Sequence, residues 1–190
     1  MQDYSNNNSA AVSRRQFLKS STLAAASAAA AVSFPAVLRA QGNQPLNAII
    51  IGAGGRGSGA GRDFLEGAKL AGADVKIVAV ADLYPEQAKH GTDNFGVPPD
   101  KCFSGFDAYK KALEVPGVNY AILATPPGLR PAHFKACIEA GKHVFMEKPV
   151  AADGPGIRMV YAAYDVAKSK NLKVAAGTQR RHRRPARLLG

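Results

Sequence analysis

The segment Gly52-Ala53-Gly54-Gly55-Arg56-Gly57 follows directly on the apolar run Asn47-Ala48-Ile49-Ile50-Ile51. Its Gly-x-Gly-x-x-Gly spacing suits a dinucleotide. The first glycine permits a tight turn out of a strand, the second lets backbone approach a pyrophosphate, and the third lets the next helix pack closely on the sheet. Amides at that helix's N-terminus then face the anion. Glycine-rich turns are common and Gly59 and Gly61 follow closely, so the residues downstream decide how specific the pattern is. A second apolar run, 75–81, ends at Asp82, whose carboxylate is placed to accept hydrogen bonds from an adenosine ribose. Asp82 lies 25 residues past Gly57, a little more than the ~20 usual for this role, and the turn at Gly72-Ala73-Asp74 absorbs the difference. With no arginine close behind it, Asp82 favours NAD over NADP, because its charge repels a 2′-phosphate; NADP remains possible. Two further loops follow apolar runs and carry polar groups: Thr125-Pro126-Pro127 and Glu147-Lys148-Pro149.

These loops need a scaffold, and the apolar patterning supplies one. Strands are expected at 46–51, 75–81, 101–103, 118–124, 143–146 and 173–176. Helices are expected at 56–71, 85–95, 106–113, 130–140 and 155–168, with Gly141 closing the fourth. Strict alternation of this kind predicts an α/β fold, a doubly wound parallel sheet of the Rossmann type with helices on both faces. Stretches such as Ala121-Ile122-Leu123 are apolar throughout, as strands covered on both sides must be. Ligands of such sheets collect beyond the carboxyl ends of the strands, where all three loops fall.

Taken with Ala81-Asp82, Ala124-Thr125-Pro126, His133 and Ala140-Gly141-Lys142-His143-Val144, the fingerprint and Glu147-Lys148-Pro149 resemble the glucose-fructose oxidoreductase, inositol dehydrogenase and MocA family over roughly residues 46–182. The resemblance implies a nicotinamide cofactor and a sugar, cyclitol or related polyol as substrate. It implies that Lys148 lies beside the nicotinamide and the reacting hydroxyl, that Pro149 follows a cis peptide, and that Glu147 orients Lys148 or contacts cofactor ribose. An ammonium drawn out of water at such a place can take up and release a proton. Thr125 and Pro126 correspond to the turn beside the nicotinamide ribose and pyrophosphate, and Pro127 departs from the usual small polar residue. His133 serves packing, capping or function. Gln179 and Arg180, implied as further cofactor contacts, resemble the entry to a second, substrate-binding α+β domain, through which the family also forms homo-oligomers. That domain is expected to be missing here, which makes the oligomer doubtful for this chain and a cofactor-binding module or inactive fragment an alternative. Another is glycosidic cleavage through transient oxidation of the sugar by retained NAD, a branch that often lacks the lysine.

At the other end, Ser13-Arg14-Arg15-Gln16-Phe17-Leu18-Lys19 precedes an uncharged stretch over 20–38, eight of whose 19 residues are alanine. The pattern is that of a twin-arginine export signal over residues 1–40, too weakly apolar for a permanent anchor, so membrane contact is transient. The expected organisation is then signal 1–40, Rossmann domain 41–177 and the truncated start of a substrate domain at 178–190, with a periplasmic destination reached in the folded state. The formal net charge of +11 suggests nucleic acid, but its distribution argues otherwise. Residues 1–40 hold +3 and 173–190 hold +6, whereas 41–172 carries 15 basic and 13 acidic residues. Cys102 and Cys137 lack metal-ligand spacing and are expected as two buried thiols.

Overall fold

The structure is a computed structural model, and it describes residues 45–177. The expected signal, with Arg14 and Arg15, and the expected cofactor contacts Gln179 and Arg180 lie outside the described residues. Six strands form one parallel sheet: β1 (Leu46–Ile51), β2 (Val75–Asp82), β3 (Cys102–Ser104), β4 (Tyr120–Leu123), β5 (His143–Glu147) and β6 (Val174–Gly177). Their spatial order is β3-β2-β1-β4-β5-β6. The order reverses between β1 and β4, and that switch point is where an open α/β sheet binds its ligand. The helices are α1 (Gly55–Ala71), α2 (Pro85–Ala88), α3 (His90–Phe95), α4 (Ala108–Leu113), α5 (Arg130–Glu139) and α6 (Gly154–Ser169).

Strand β1 shows why the sheet must be covered twice. Ile49 and Ile51 belong to one core with Phe134 and Ile138 of α5, and Ala48 and Ile50 belong to the other with Val80 and Ile122. All four β1 residues are at most 2% exposed. Burial of each of the three isoleucines is worth about 1.5–3 kcal/mol, so both faces hold the central strand in place. Gly141 ends α5 in the left-handed region (φ 72°), and Lys142 N–H reaches back to Cys137 O, as expected of a helix stop. At the start of α6 the Asp153 carboxylate caps Gly156 N–H at 2.7 Å.

Two expectations need correction. The single helix over 85–95 is α2 and α3, joined at Lys89. Packing against β2 decides this: a Cβ on Gly91 would lie 2.8 Å from Val80 and from the Cys102 sulfur, and His90 turns back to Ala53 O at 3.0 Å. The cysteines are both free, but only Cys137 is fully buried, and burial pushes its thiol up to about 12. Cys102 is half-buried on the edge strand, beside the Thr92 hydroxyl at 3.5 Å.

Candidate cofactor and active site

Gly52 leaves β1 with φ +92°, a conformation closed to most side chains, and its amide donates to Ala81 O at 2.8 Å. Gly57 answers a different constraint. A Cβ there would lie 1.7 Å from Gly52 O, so the third fingerprint glycine lets the loop close on itself, and the close helix–sheet approach expected of it falls at Gly61, against Ile50 and Phe95. Gly54 faces open space, with only Gln87 Oε1 at 3.6 Å from an added Cβ.

Asp82 closes the other side of the loop. One carboxylate oxygen accepts from Ala53 N–H at 2.6 Å and the other from Tyr84 N–H at 3.1 Å. Asp82 therefore fixes the glycine loop, and each oxygen retains a further lone pair for a ligand hydroxyl. Ala53 O is in turn held by the Ser58 hydroxyl at 2.9 Å and by His90. Loop and strand ends line a cleft of about 730 Å³ bordered by Gly54, Asp82, Tyr84, Phe106, Thr125 and Tyr109. Tyr84 and Phe106 are 56% and 76% exposed, apolar rings left at its mouth.

The Thr125 turn and the Lys148 turn meet through a residue that sequence reasoning placed only as the start of a helix. Arg130 is 3% exposed. Its Nη1 donates to Glu147 O and Pro149 O, and its Nη2 to Thr125 O. Burial lowers the guanidinium's proton affinity, and the negative charge of Glu147 opposes that shift. A signal was available: a cation in the first turn of a helix opposes the helix dipole and needs acceptors to compensate.

The Glu147 side chain turns inward, 4% exposed, and accepts from Arg56 Nε at 2.9 Å. Lys148 stands exposed beside a cis peptide bond to Pro149 and makes no hydrogen bond or ion pair to a described residue. Pro126 lines the cleft next to Thr125. The structure thus brings Gly52, Gly54, Gly55, Arg56, Gly57, Asp82, Thr125 and Pro126 to one cleft. It also ties the turn bearing Glu147, Lys148 and Pro149 to the same rim.

His133 acquires a defined role. Its Nδ1 shares a hydrogen bond with the Thr125 hydroxyl at 3.1 Å, and its ring packs on Tyr109 with centroids 4.5 Å apart. Burial lowers its pKa from the ordinary histidine value. Because the unfolded chain then binds the proton first, stability present above about pH 6.5 is lost as pH falls toward the folded-state pKa, by up to ~1.4 kcal/mol per pH unit for one site. His143 shifts the same way through burial and Lys173. Urea unfolding at pH 7.5 and 5.5 should therefore show a smaller drop in midpoint for His133→Asn than for wild type, and equal drops would refute the assignment.

A parallel sheet of this order, with a glycine loop at its switch point and an acid closing β2, defines a dinucleotide-binding domain. Residues 46–178 match the oxidoreductase family, NAD-binding Rossmann fold, known as Gfo/Idh/MocA. The chain belongs to that family. Inositol 2-dehydrogenase of Azotobacter vinelandii is 35% identical over 123 residues, 62% of this chain and 32% of the relative. An uncharacterized oxidoreductase of Bacillus subtilis, YfiI, is 31% identical over 122 residues, 61% of this chain and 31% of the relative. This chain thus aligns with about a third of these relatives' length. Among solved structures, the WlbA dehydrogenase of Bordetella pertussis, in complex with NADH and UDP-GlcNAcA, superposes with TM-score 0.61 at 20% identity, over 74% of this chain and 38% of that one. The 3-ketoreductase KijD10 of Actinomadura kijaniata, in complex with TDP-benzene and NADP, superposes with TM-score 0.55 at 25% identity, over 70% and 38%. The residues present fit an NAD(P) cofactor: Gly54 leaves room for a diphosphate over the start of α1, and Asp82 stands at the ribose end of the cleft.

Proposed function

We propose that this chain is the cofactor half of an NAD-dependent oxidoreductase acting on a sugar, cyclitol or related polyol, with Lys148 moving the proton. The observation that carries the reading is the shared anchorage of two turns: Arg130 holds the Lys148–Pro149 turn to the Thr125 turn on the rim of the glycine-loop cleft. The names of the relatives support the substrate class, since inositol 2-dehydrogenases and a levoglucosan dehydrogenase are among them.

When bound, the nicotinamide supplies hydride exchange. The chain's own residues do the rest. Gly52, Gly54, Gly55 and Gly57 present backbone to the diphosphate, with Arg56 beside them, and Asp82 accepts from ribose hydroxyls. Thr125 and Pro126 border the nicotinamide end. Lys148 Nζ, exposed on this domain, is available to the substrate oxygen: it donates to a carbonyl being reduced or, deprotonated, accepts from a hydroxyl being oxidised. Gln179 and Arg180 are proposed to line the active-site mouth. The Arg14-Arg15 segment is proposed to direct export in the folded state with cofactor already held; a fusion to a reporter active only outside the cytoplasm tests this, and no activity would refute it.

Titration of the full chain with NADH and NADPH, followed by cofactor fluorescence, is the test. NADH should bind at least about tenfold more tightly, since the Asp82 carboxylate disfavours a 2′-phosphate; no binding of either would overturn the reading. Binding without polyol turnover would leave the chain as a cofactor-binding module. Turnover that falls about 10²–10⁴-fold in Lys148→Met, with NADH affinity kept, would establish the dehydrogenase.

A further inference from the structure

Arg56 and Glu147 come from opposite halves of the sheet, 91 residues apart in sequence, and meet at 2.9 Å. The guanidinium also reaches Asp63 through Nη2 at 2.9 Å. Its two acidic partners are not equivalent. Asp63 is 69% exposed and lies two turns along the same face of α1, so that pair is a screened surface contact of little weight. Glu147 is 4% exposed, and its bond to Arg56 is charge-assisted and shielded from water.

Among the described residues, Arg56 is the side chain that hydrogen-bonds the Glu147 carboxylate, and Arg130 is the one that holds the Glu147 carbonyl. Glu147 is therefore gripped at both ends. The next residue is Lys148, whose exposed side chain makes no hydrogen bond or ion pair to a described residue. Its place at the rim of the cleft follows from its backbone, and that backbone is fixed by its neighbours Glu147 and Pro149, whose carbonyls Arg130 holds.

We infer that Arg56 is a positioning residue for Lys148: through Glu147 it ties the first turn of α1, behind the glycine loop, to the Lys148–Pro149 turn. Cofactor loop and proton-bearing loop then move as one body. Occupation of the first by a diphosphate steadies the second, although the two are far apart in the chain. The placement of Arg56 in the first turn of a helix, where the dipole disfavours a cation, is compensated by the buried carboxylate. The assignment rests on the reading of Lys148 given above.

Amide hydrogen exchange on the full chain, read by mass spectrometry, tests it without any turnover. In Arg56→Met the peptide spanning 144–150 should exchange about tenfold faster, because the buried carboxylate loses its partner. Peptides from β1 and β4 should keep their wild-type rates. Glu147→Met should show the same local change, the double variant should add nothing to it, and Arg56→Lys should recover at least half of the protection. Unchanged exchange over 144–150 in Arg56→Met, equal acceleration throughout the sheet, or additive effects in the double variant would each overturn the inference. Saturating NADH should slow exchange over 144–150 in wild type and leave Arg56→Met unaffected there. A wild-type chain that binds no NADH would refute the proposed function, whereas the exchange rates without cofactor would still decide the role of Arg56.

Discussion

Replacing Arg130 with methionine should lower the thermal midpoint by roughly 10–20 °C and weaken NADH binding at least about tenfold. Methionine comes near the volume of the side chain but donates nothing, so Thr125 O, Glu147 O and Pro149 O lose their shared donor in a position closed to water. Each shielded acceptor left without a partner costs about 1–3 kcal/mol. Water entering the loosened site offsets part of this, and a total of about 3–5 kcal/mol is what breaking a buried charged network removes. For a domain of this size each kcal/mol is worth ~2–4 °C or slightly more. Cofactor affinity falls with it because both turns at the rim of the cleft lose their common anchor. Arg130→Lys keeps the charge but not the planar fork, and one ammonium cannot serve three carbonyls at these separate positions, so it should recover less than half of the loss. Thermal and urea unfolding by circular dichroism, with NADH fluorescence at a temperature where both variants remain folded, measures each part. A midpoint within about 3 °C of wild type would refute the account.

What the sequence showed and what it hid divide along physical lines. Strand β1 was legible because four successive buried apolar residues admit few alternatives, and the βα alternation then fixed the sheet class. The terminal position of Asp82 was legible for the same reason. Its grip on Ala53 N–H was not, because that bond depends on the register that sets Ile51 beside Ala81, which spacing along the chain does not reveal. The resemblance implied that Glu147 orients Lys148 or contacts cofactor ribose, and it gave no sign of the bond to Arg56. Successive residues of a strand point to opposite faces, so Glu147, last in β5, was free to turn inward while Lys148 left the sheet. The pairing of Arg56 with Glu147, 91 residues away, and the bridge that Arg130 makes from Thr125 to Glu147 and Pro149 remained obscure because both depend on how separate loops meet in the fold. The break at Lys89 came from a contact between α3 and the sheet, and local propensity over 85–95 gives no notice of it.

Two single-methyl substitutions in the glycine loop should separate folding from binding. In Gly57→Ala the new Cβ would lie 1.7 Å from Gly52 O and 2.9 Å from the Gly52 carbonyl carbon. Both are backbone atoms with no rotamer to relieve them, so the loop must open. Overpacking against side chains costs about 1–3 kcal/mol, and displacement of backbone puts this variant at or beyond the upper end. It should melt at least about 8 °C below wild type and bind no measurable NADH. Gly54→Ala is the contrasting case. Its φ of −59° suits any residue, and its Cβ would meet only Gln87 Oε1, at an ordinary 3.6 Å. Stability should change by less than about 1 kcal/mol and could rise, since alanine restricts the unfolded chain. Affinity should nevertheless fall about 100-fold, equivalent to ~2.7 kcal/mol, because the methyl occupies the space through which backbone approaches the diphosphate. A Gly54→Ala protein that is stable and binds NADH as wild type does would remove the glycine loop from the cofactor site. A stable protein that binds it a hundredfold more weakly would locate the diphosphate over Gly54, with no contribution from a damaged fold.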